Sequence, residues 1–190
     1  MNGYIVVEGP AEAALVSRLL PEDLSNSVFV ANANGRSSAI SLSVSLLVKR
    51  KKPAVLLVDS DTVEERSIQE QRIVLHDLLS PAGGAAPFHV ALAVPEIEIL
   101  LFSDLKALEK AIGIESTERE AIQAEFRPRK ILEQMIDRSS QIKSERELIS
   151  KLDSEALRRM AEHPLMLEIT EFFRSQSDFY PDEPISQTGT

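Results

Sequence analysis

The sequence predicts an α/β protein, a parallel sheet of about four strands flanked by helices and followed by a helical C-terminal extension. Three observations lead there. Val55-Leu56-Leu57-Val58 is an unbroken apolar run, as expected of a strand buried on both faces inside a parallel sheet. Short apolar runs of this kind alternate with helical patterns four times over residues 1–103, which is the βα repeat of a sheet covered on both sides. From Ser103 onward the chain becomes mostly helical in pattern and more charged.

Taken in order, Tyr4-Ile5-Val6-Val7 is the first strand and ends in Glu8-Gly9-Pro10. Pro10 suits a first helical turn, where its missing donor is harmless. Ala14, Leu15, Leu19 and Leu20 then form a helical stripe that Pro21 closes. Ser27-Val28-Phe29-Val30 is the second strand, followed by a turn-rich loop over 31–38 with an Asn34-Gly35 pair. Ser37 or Ser38 is positioned to cap the next helix, which runs to about Lys49. Pro53 separates it from the third strand, Ala54 to Val58. A helix from about Val63 to Leu79 follows, with Ile68, Leu75, Leu78 and Leu79 on one side, and Ser80-Pro81-Ala82-Gly83-Gly84 reads as a loop. Phe88 to Val94 is the fourth strand, and Pro95-Glu96-Ile97-Glu98 opens a helix at its end.

In the second half, helices are expected over Asp104–Ile112, Thr117–Phe126, Arg129–Ile136, Ser154–Glu162 and Leu165–Arg174. The domain reading is therefore a core over 1–103, a helical extension packed on it over 104–174, and a polar tail over 175–190.

A net charge of -9 argues against non-specific attraction to nucleic acid, although acids gathered around a metal ion also count in that sum. The basic runs Lys49-Arg50-Lys51-Lys52 and Arg127-Pro128-Arg129-Lys130 each read as a solvated helix end or loop. There is no cysteine, so disulfides and thiolate metal sites are excluded. Met1 to Val7 lacks the pattern of a signal peptide, and no apolar run approaches the roughly 20 residues that span a bilayer. A cytoplasmic location with no membrane association is expected.

Three strands end in acids: Glu8 after the first, Asp59 and Asp61 after the third, Glu96 and Glu98 after the fourth. Ligands in open α/β sheets bind beyond the carboxyl ends of the strands. Two acids one residue apart repel each other there unless a cation or a shared proton relieves them. Carboxylate oxygens suit magnesium or manganese rather than zinc. His76, His89 and His163 show no ligand spacing. A polar strand end for Glu8 and helix capping for Asp59 and Asp61 are the structural alternatives. Glu98 falls in a first helical turn, where the dipole favours an acid, and reads as structural.

Val7-Glu8-Gly9-Pro10-Ala11-Glu12, followed some fifty residues later by Val58-Asp59-Ser60-Asp61, resembles the TOPRIM domain of topoisomerases, bacterial primases, recombination-repair proteins and OLD (overcoming-lysogenization-defect) nucleases. The likeness covers roughly residues 3 to 105 and implies a Rossmann-like TOPRIM sheet. Val94 to Asp104 is similar to a segment of small stand-alone bacterial TOPRIM proteins found near phage-defence genes. One departure is Glu12, which stands where many TOPRIM domains carry Asp.

The resemblance implies Glu8 as metal ligand and general acid/base, Asp59 and Asp61 as ligands of Mg2+ or Mn2+, and Glu96 as a ligand of a second ion. It implies metal-dependent hydrolysis of phosphodiesters in DNA or RNA, in phage defence or repair, with a partner ATPase or a homodimer among the assemblies. Gly35, Arg36 and Ser37 would contact phosphate at a helix N-terminus, or form only a turn and cap.

A topoisomerase needs a tyrosine nucleophile, and Tyr4 and Tyr180 lie in a strand and in the tail. A primase needs template-binding modules for which 190 residues leave no room. An Asp-x-Asp phosphohydrolase of the haloacid dehalogenase type wants threonine where this chain has Val63, and places its nucleophile on the first strand. A TOPRIM-like regulatory or binding subunit without catalysis is the remaining alternative.

Overall fold

The computed structural model describes residues 3–176. Four strands, β1 (Gly3–Val7), β2 (Val28–Asn32), β3 (Ala54–Asp59) and β4 (Phe88–Ala93), form one sheet in the order β2-β1-β3-β4. Every pairing is parallel. The first-half helices are α1 (Pro10–Leu19), α2 (Glu22–Ser25), α3 (Arg36–Arg50) and α4 (Glu65–Gly83). The second half holds α5 (Ile99–Phe102), α6 (Leu105–Ile112), α7 (Glu118–Ala124), α8 (Pro128–Arg138), α9 (Glu145–Lys151), α10 (Ser154–Met160) and α11 (Pro164–Gln176). This is the expected parallel sheet flanked by helices, with a helical C-terminal segment. Among the described residues no helix is long and apolar enough to cross a membrane.

Alternation along the strands divides the sheet's side chains between two cores. Val6, Leu56, Val58, Val90 and Leu92 pack with Ala39, Leu47, Ile68, Leu75 and Leu79 of α3 and α4. Ile5, Val7, Val55, Leu57, Ala91 and Ala93 face the other way, into α1 and the helices of the second half. Leu100, Leu101, Leu108, Met135, Leu148, Met160 and Ile169 share that second cluster, so one continuous core joins the sheet to the helical segment. Polar ties reinforce it. The Arg18 guanidinium on α1 donates to the carbonyls of Ile149 and Leu152 at the end of α9. Glu168 on α11 bonds His89 on β4 at 2.6 Å and Arg72 on α4 at 3.1 Å. His89 is thus a structural residue, and His163 uses its Nδ1 to accept from the Leu165 N–H.

Several boundaries differ from the sequence reading. α4 runs through Ser80-Pro81 to Gly83 where a loop was expected. Pro81 sits in the final turn, where its missing N–H releases only the carbonyl of exposed Asp77, while Ala82 gains burial. The tight approach of the Phe88 ring to Gly83 leaves no room for a side chain at that end. Gly35, at φ 112°, is the N-cap of α3, so neither Ser37 nor Ser38 caps it. Residues 95–98 form a turn and the helix starts only at Ile99. α2 and α9 have no counterpart in the sequence reading, because four- and seven-residue helices carry too few repeats to show a period. The expected tail begins at Ser175, yet Ser175 and Gln176 complete α11; the rest of it lies outside the described residues.

Gly3 illustrates how tightly the second half closes on the sheet. A methyl group there would stand 2.9 Å from the Pro53 carbonyl oxygen and run into the Phe173 ring of α11. Gly3→Ala is expected to lower the unfolding free energy by about 1–3 kcal/mol, seen as a lower urea midpoint with an unchanged slope.

Candidate metal and phosphodiester site at the carboxyl end of the sheet

The strand order reverses between β1 and β3, since the chain passes from β1 to β2 on one side and then to β3 on the other. Such a switch point opens a crevice beyond the strand ends. Val6 pairs with Leu56, which brings the residues following each into the same crevice. Glu8 Oε1 accepts from the Asp59 backbone N–H at 3.3 Å. One turn into α1, Glu12 reaches back, and its Oε2 accepts from the Glu8 N–H at 3.0 Å. A Cβ on Gly9 would lie 3.2 Å from Glu12 Oε1, so the small residue lets the carboxylate approach the turn.

Asp59 is 5% exposed. Its Oδ1 accepts from the Ile97 N–H at 2.9 Å and its Oδ2 from Arg129 Nη2 at 2.5 Å. The turn beyond it is pinned by its own backbone, Asp61 N–H donating to the Pro95 carbonyl at 2.9 Å. Asp61 adopts φ 55°, a left-handed conformation, and its side chain is 68% exposed, 3.7 Å from Arg36 Nη1. Arg36 donates to the Asp59 carbonyl at 3.1 Å and to Gln71 Oε1 at 2.7 Å, and Gln71 in turn donates to the Ser60 carbonyl at 2.8 Å. Arg36 therefore holds the Asp-x-Asp turn. Gly35 and Ser37 flank it at the start of α3, on the same end of the sheet.

The central cation is Arg129, from the basic run expected to be a solvated helix end. Beyond Asp59, its Nε donates to Glu98 Oε1 at 2.8 Å, and Nη2 lies 3.9 Å from Glu12 Oε1. Its backbone N–H donates to Glu96 Oε2 at 3.0 Å, so Glu96 closes the N-terminal turn of α8. Glu98, read from the sequence as an ordinary first-turn acid, is 2% exposed and makes no capping bond. Arg129, Glu98 and Glu145 were missed. A pattern reading sees only local spacing, and their partners lie far along the chain. The one available signal was an acid after the fourth strand with no cation near it in sequence.

Burial dominates the electrostatics. It raises the pKa of Glu8, Asp59 and Glu98, with the Arg129 charge opposing it at Asp59 and its hydrogen bond at Glu98. Glu12 is pushed up to about 7 by burial and then by the Asp59 charge. Glu145, at the start of α9, is pushed to about 7 by burial and then by Glu98. Burial works against the Arg129 charge, but bonds to Glu98 and Asp59 outweigh it and hold the guanidinium protonated. The crevice thus carries more acid than its arginines neutralise.

All of these donors are carboxylate oxygens, which is the chemistry of a hard divalent ion. Glu8 and Asp59 come together, Asp61 lies at the same end but turned to solvent and Arg36, and Glu96 is engaged by α8. Among the described residues no three His, Asp or Glu side chains surround a single point where a metal would sit. Both oxygens of Asp59 are engaged, Oδ1 by the Ile97 N–H and Oδ2 by Arg129.

Because the fold favours the protonated form of Glu12, its stabilising contribution is complete below about pH 4.5 and is lost as pH rises through about 7. Glu12→Gln keeps an oxygen for the Glu8 N–H and has no proton to lose. Between about pH 5 and about pH 8 the variant should gain on the order of 2 kcal/mol relative to the native chain, measured by urea unfolding at each pH.

The fold is similar to that of the C-terminal region of the Burkholderia pseudomallei OLD protein, with a TM-score of 0.55 and 17% sequence identity, covering 92% of this chain and 97% of that one. At that identity the likeness is one of fold. No curated protein matches the sequence. The chain belongs to the family described as Domain of unknown function (DUF4276), which spans its residues 7–164.

Proposed function

We propose that this protein is a metal-dependent nuclease hydrolysing phosphodiester bonds of DNA or RNA. The observation that carries the reading is the contact of Glu8 with Asp59 at the β1/β3 switch point. The TOPRIM-like spacing of Glu8-Gly9 and Asp59-Ser60-Asp61 and the fold shared with the OLD C-terminal region support it.

In this reading Glu8, Asp59 and Asp61 hold Mg2+ or Mn2+, and Glu96 serves a second ion. A divalent ion supplies charge neutralisation at the phosphate and a more acidic water. The chain's own groups do the rest. Glu8, with its pKa raised by burial, is a stronger base than a solvated carboxylate and is suited to accept or return a proton. Arg36 fixes the Asp-x-Asp turn, and the first-turn N–H groups of α3 at Arg36 and Ser37 offer donors to a backbone phosphate. Arg129 must release Asp59 Oδ2 for an ion to bind there, and the freed guanidinium could then pair with phosphate. Phage defence or repair and a partner ATPase extend the same proposal through the motif resemblance.

The same Arg129 contact favours a second reading, a regulatory or binding subunit in which the guanidinium permanently takes the cation's place. The two readings separate in solution. Magnesium or manganese at about a hundredfold excess over Kd should raise the melting temperature by about 5 °C, and Asp59→Asn/Asp61→Asn should abolish the shift. An equal shift in both proteins would remove the site. Metal-dependent nicking of DNA or RNA is expected to fall about 100-fold or more in Glu8→Gln; full activity in that variant would remove Glu8 from the chemistry. The absence of any metal-induced thermal shift together with the absence of nicking, with or without a partner, would select the regulatory reading.

A further inference from the structure

A cavity of about 310 Å³ lies between α8 and α9, against the far side of Arg129. Its lining includes Glu98, Glu145, Leu132, Ile136, Glu133 and Asp137. Two buried carboxylate oxygens there have no hydrogen-bond partner, Glu98 Oε2 and Glu145 Oε1. The Glu98 side chain is 3% exposed, and only its other oxygen is taken, by Arg129. Leaving a buried acceptor unpaired is costly, and more so for a charged group.

Neither neighbouring cation hydrogen-bonds these two oxygens, although the Arg129 charge acts on Glu145. Arg129 directs Nε to Glu98 Oε1 and Nη2 to Asp59, and Lys143, which also borders the cavity, donates Nζ to the Ser139 carbonyl at 3.0 Å. A hydrogen-bond donor is what the two oxygens lack, and a cationic one would also offset the repulsion between the two carboxylates. A bare metal ion fits poorly, because no third acid or histidine among the described residues joins them around one point. The cavity also exceeds what an ion needs, and Leu132 and Ile136 give it an apolar wall. Glu133 and Asp137, one turn apart on α8 and exposed, mark its solvent side.

We propose that this cavity binds an aliphatic diamine or polyamine. One ammonium group donates to Glu98 Oε2 and Glu145 Oε1, the alkyl chain lies along Leu132 and Ile136, and a second ammonium meets Glu133 and Asp137. An ammonium carries three donors and no acceptor, which matches two orphaned carboxylate oxygens. The site does not require nuclease activity, so it stands or falls separately from the function proposed above.

The test is isothermal titration of the full chain with 1,4-diaminobutane and with spermidine, free of divalent metal, at about 0.15 M ionic strength. One saturable site is expected, tighter for the diamine than for butylamine. Glu145→Gln should weaken it by about tenfold or more. Glu133→Gln/Asp137→Asn, whose side chains face solvent and leave the fold intact, should erase the preference for the diamine over butylamine. Three results would overturn the proposal. One is the absence of saturable binding, with Glu145→Gln more stable than the native chain, which means that the two carboxyls share a proton. Another is binding indifferent to both variants, which means diffuse attraction to an acidic chain. The third is a Glu145-dependent site filled by magnesium alone that amine does not displace.

Discussion

The crevice depends on one guanidinium crossing from the helical half to the sheet. Arg129 joins Asp59 at 2.5 Å and Glu98 at 2.8 Å, with Glu12 at 3.9 Å. Two unit charges about 4 Å apart attract by roughly 4 kcal/mol at an effective dielectric near 20. Withdrawing the ions from water costs several kcal/mol for each. With Arg129 still 40% exposed, the network adds little net stability. What it determines is position: Arg129 ties Asp59, Glu98 and Glu96 to the first turn of α8.

That constraint follows from the shape of the core. A parallel sheet needs cover on both faces, and the βα units supply α3 and α4 on one side but only α1 and short α2 on the other. The second half completes the second face with Leu101, Leu108, Met135, Leu148 and Ile169. Once α8 is seated by Ile131, Leu132 and Met135, its first turn lies at the carboxyl ends of β3 and β4. Apolar packing therefore delivers Arg129 to the acids, and the acids need no affinity of their own to recruit it.

The electrostatic consequence is a site poised between two states. With the guanidinium in place, Asp59 is satisfied and Glu12 and Glu145 lean toward their protonated forms near neutral pH. In the proposed nuclease reading, a divalent ion in its place would draw on Asp59 together with Glu8 and Asp61. The nuclease and regulatory readings differ only in whether Arg129 can leave.

The architecture was largely legible in the sequence. Unbroken apolar runs such as Val55–Val58 and the βα alternation require a covered parallel sheet, because an apolar strand with no polar face has nowhere else to go. The acids Glu8, Asp59 and Asp61 at strand ends were legible for the same reason, since strand direction puts them at one end of the sheet. Local pattern could not show that β1 lies beside β3, which brings Glu8 to Asp59. Nor could it show that Arg129, seventy residues beyond Asp59 and part of a run that looks solvated, is the cation they surround, or that Glu98 is buried with it. Those pairings are set by how helices pack across the whole chain, and packing at that range leaves no periodic trace in sequence. The residues alone therefore determined that acids stand at the strand ends, and only the tertiary structure decided which charges meet them.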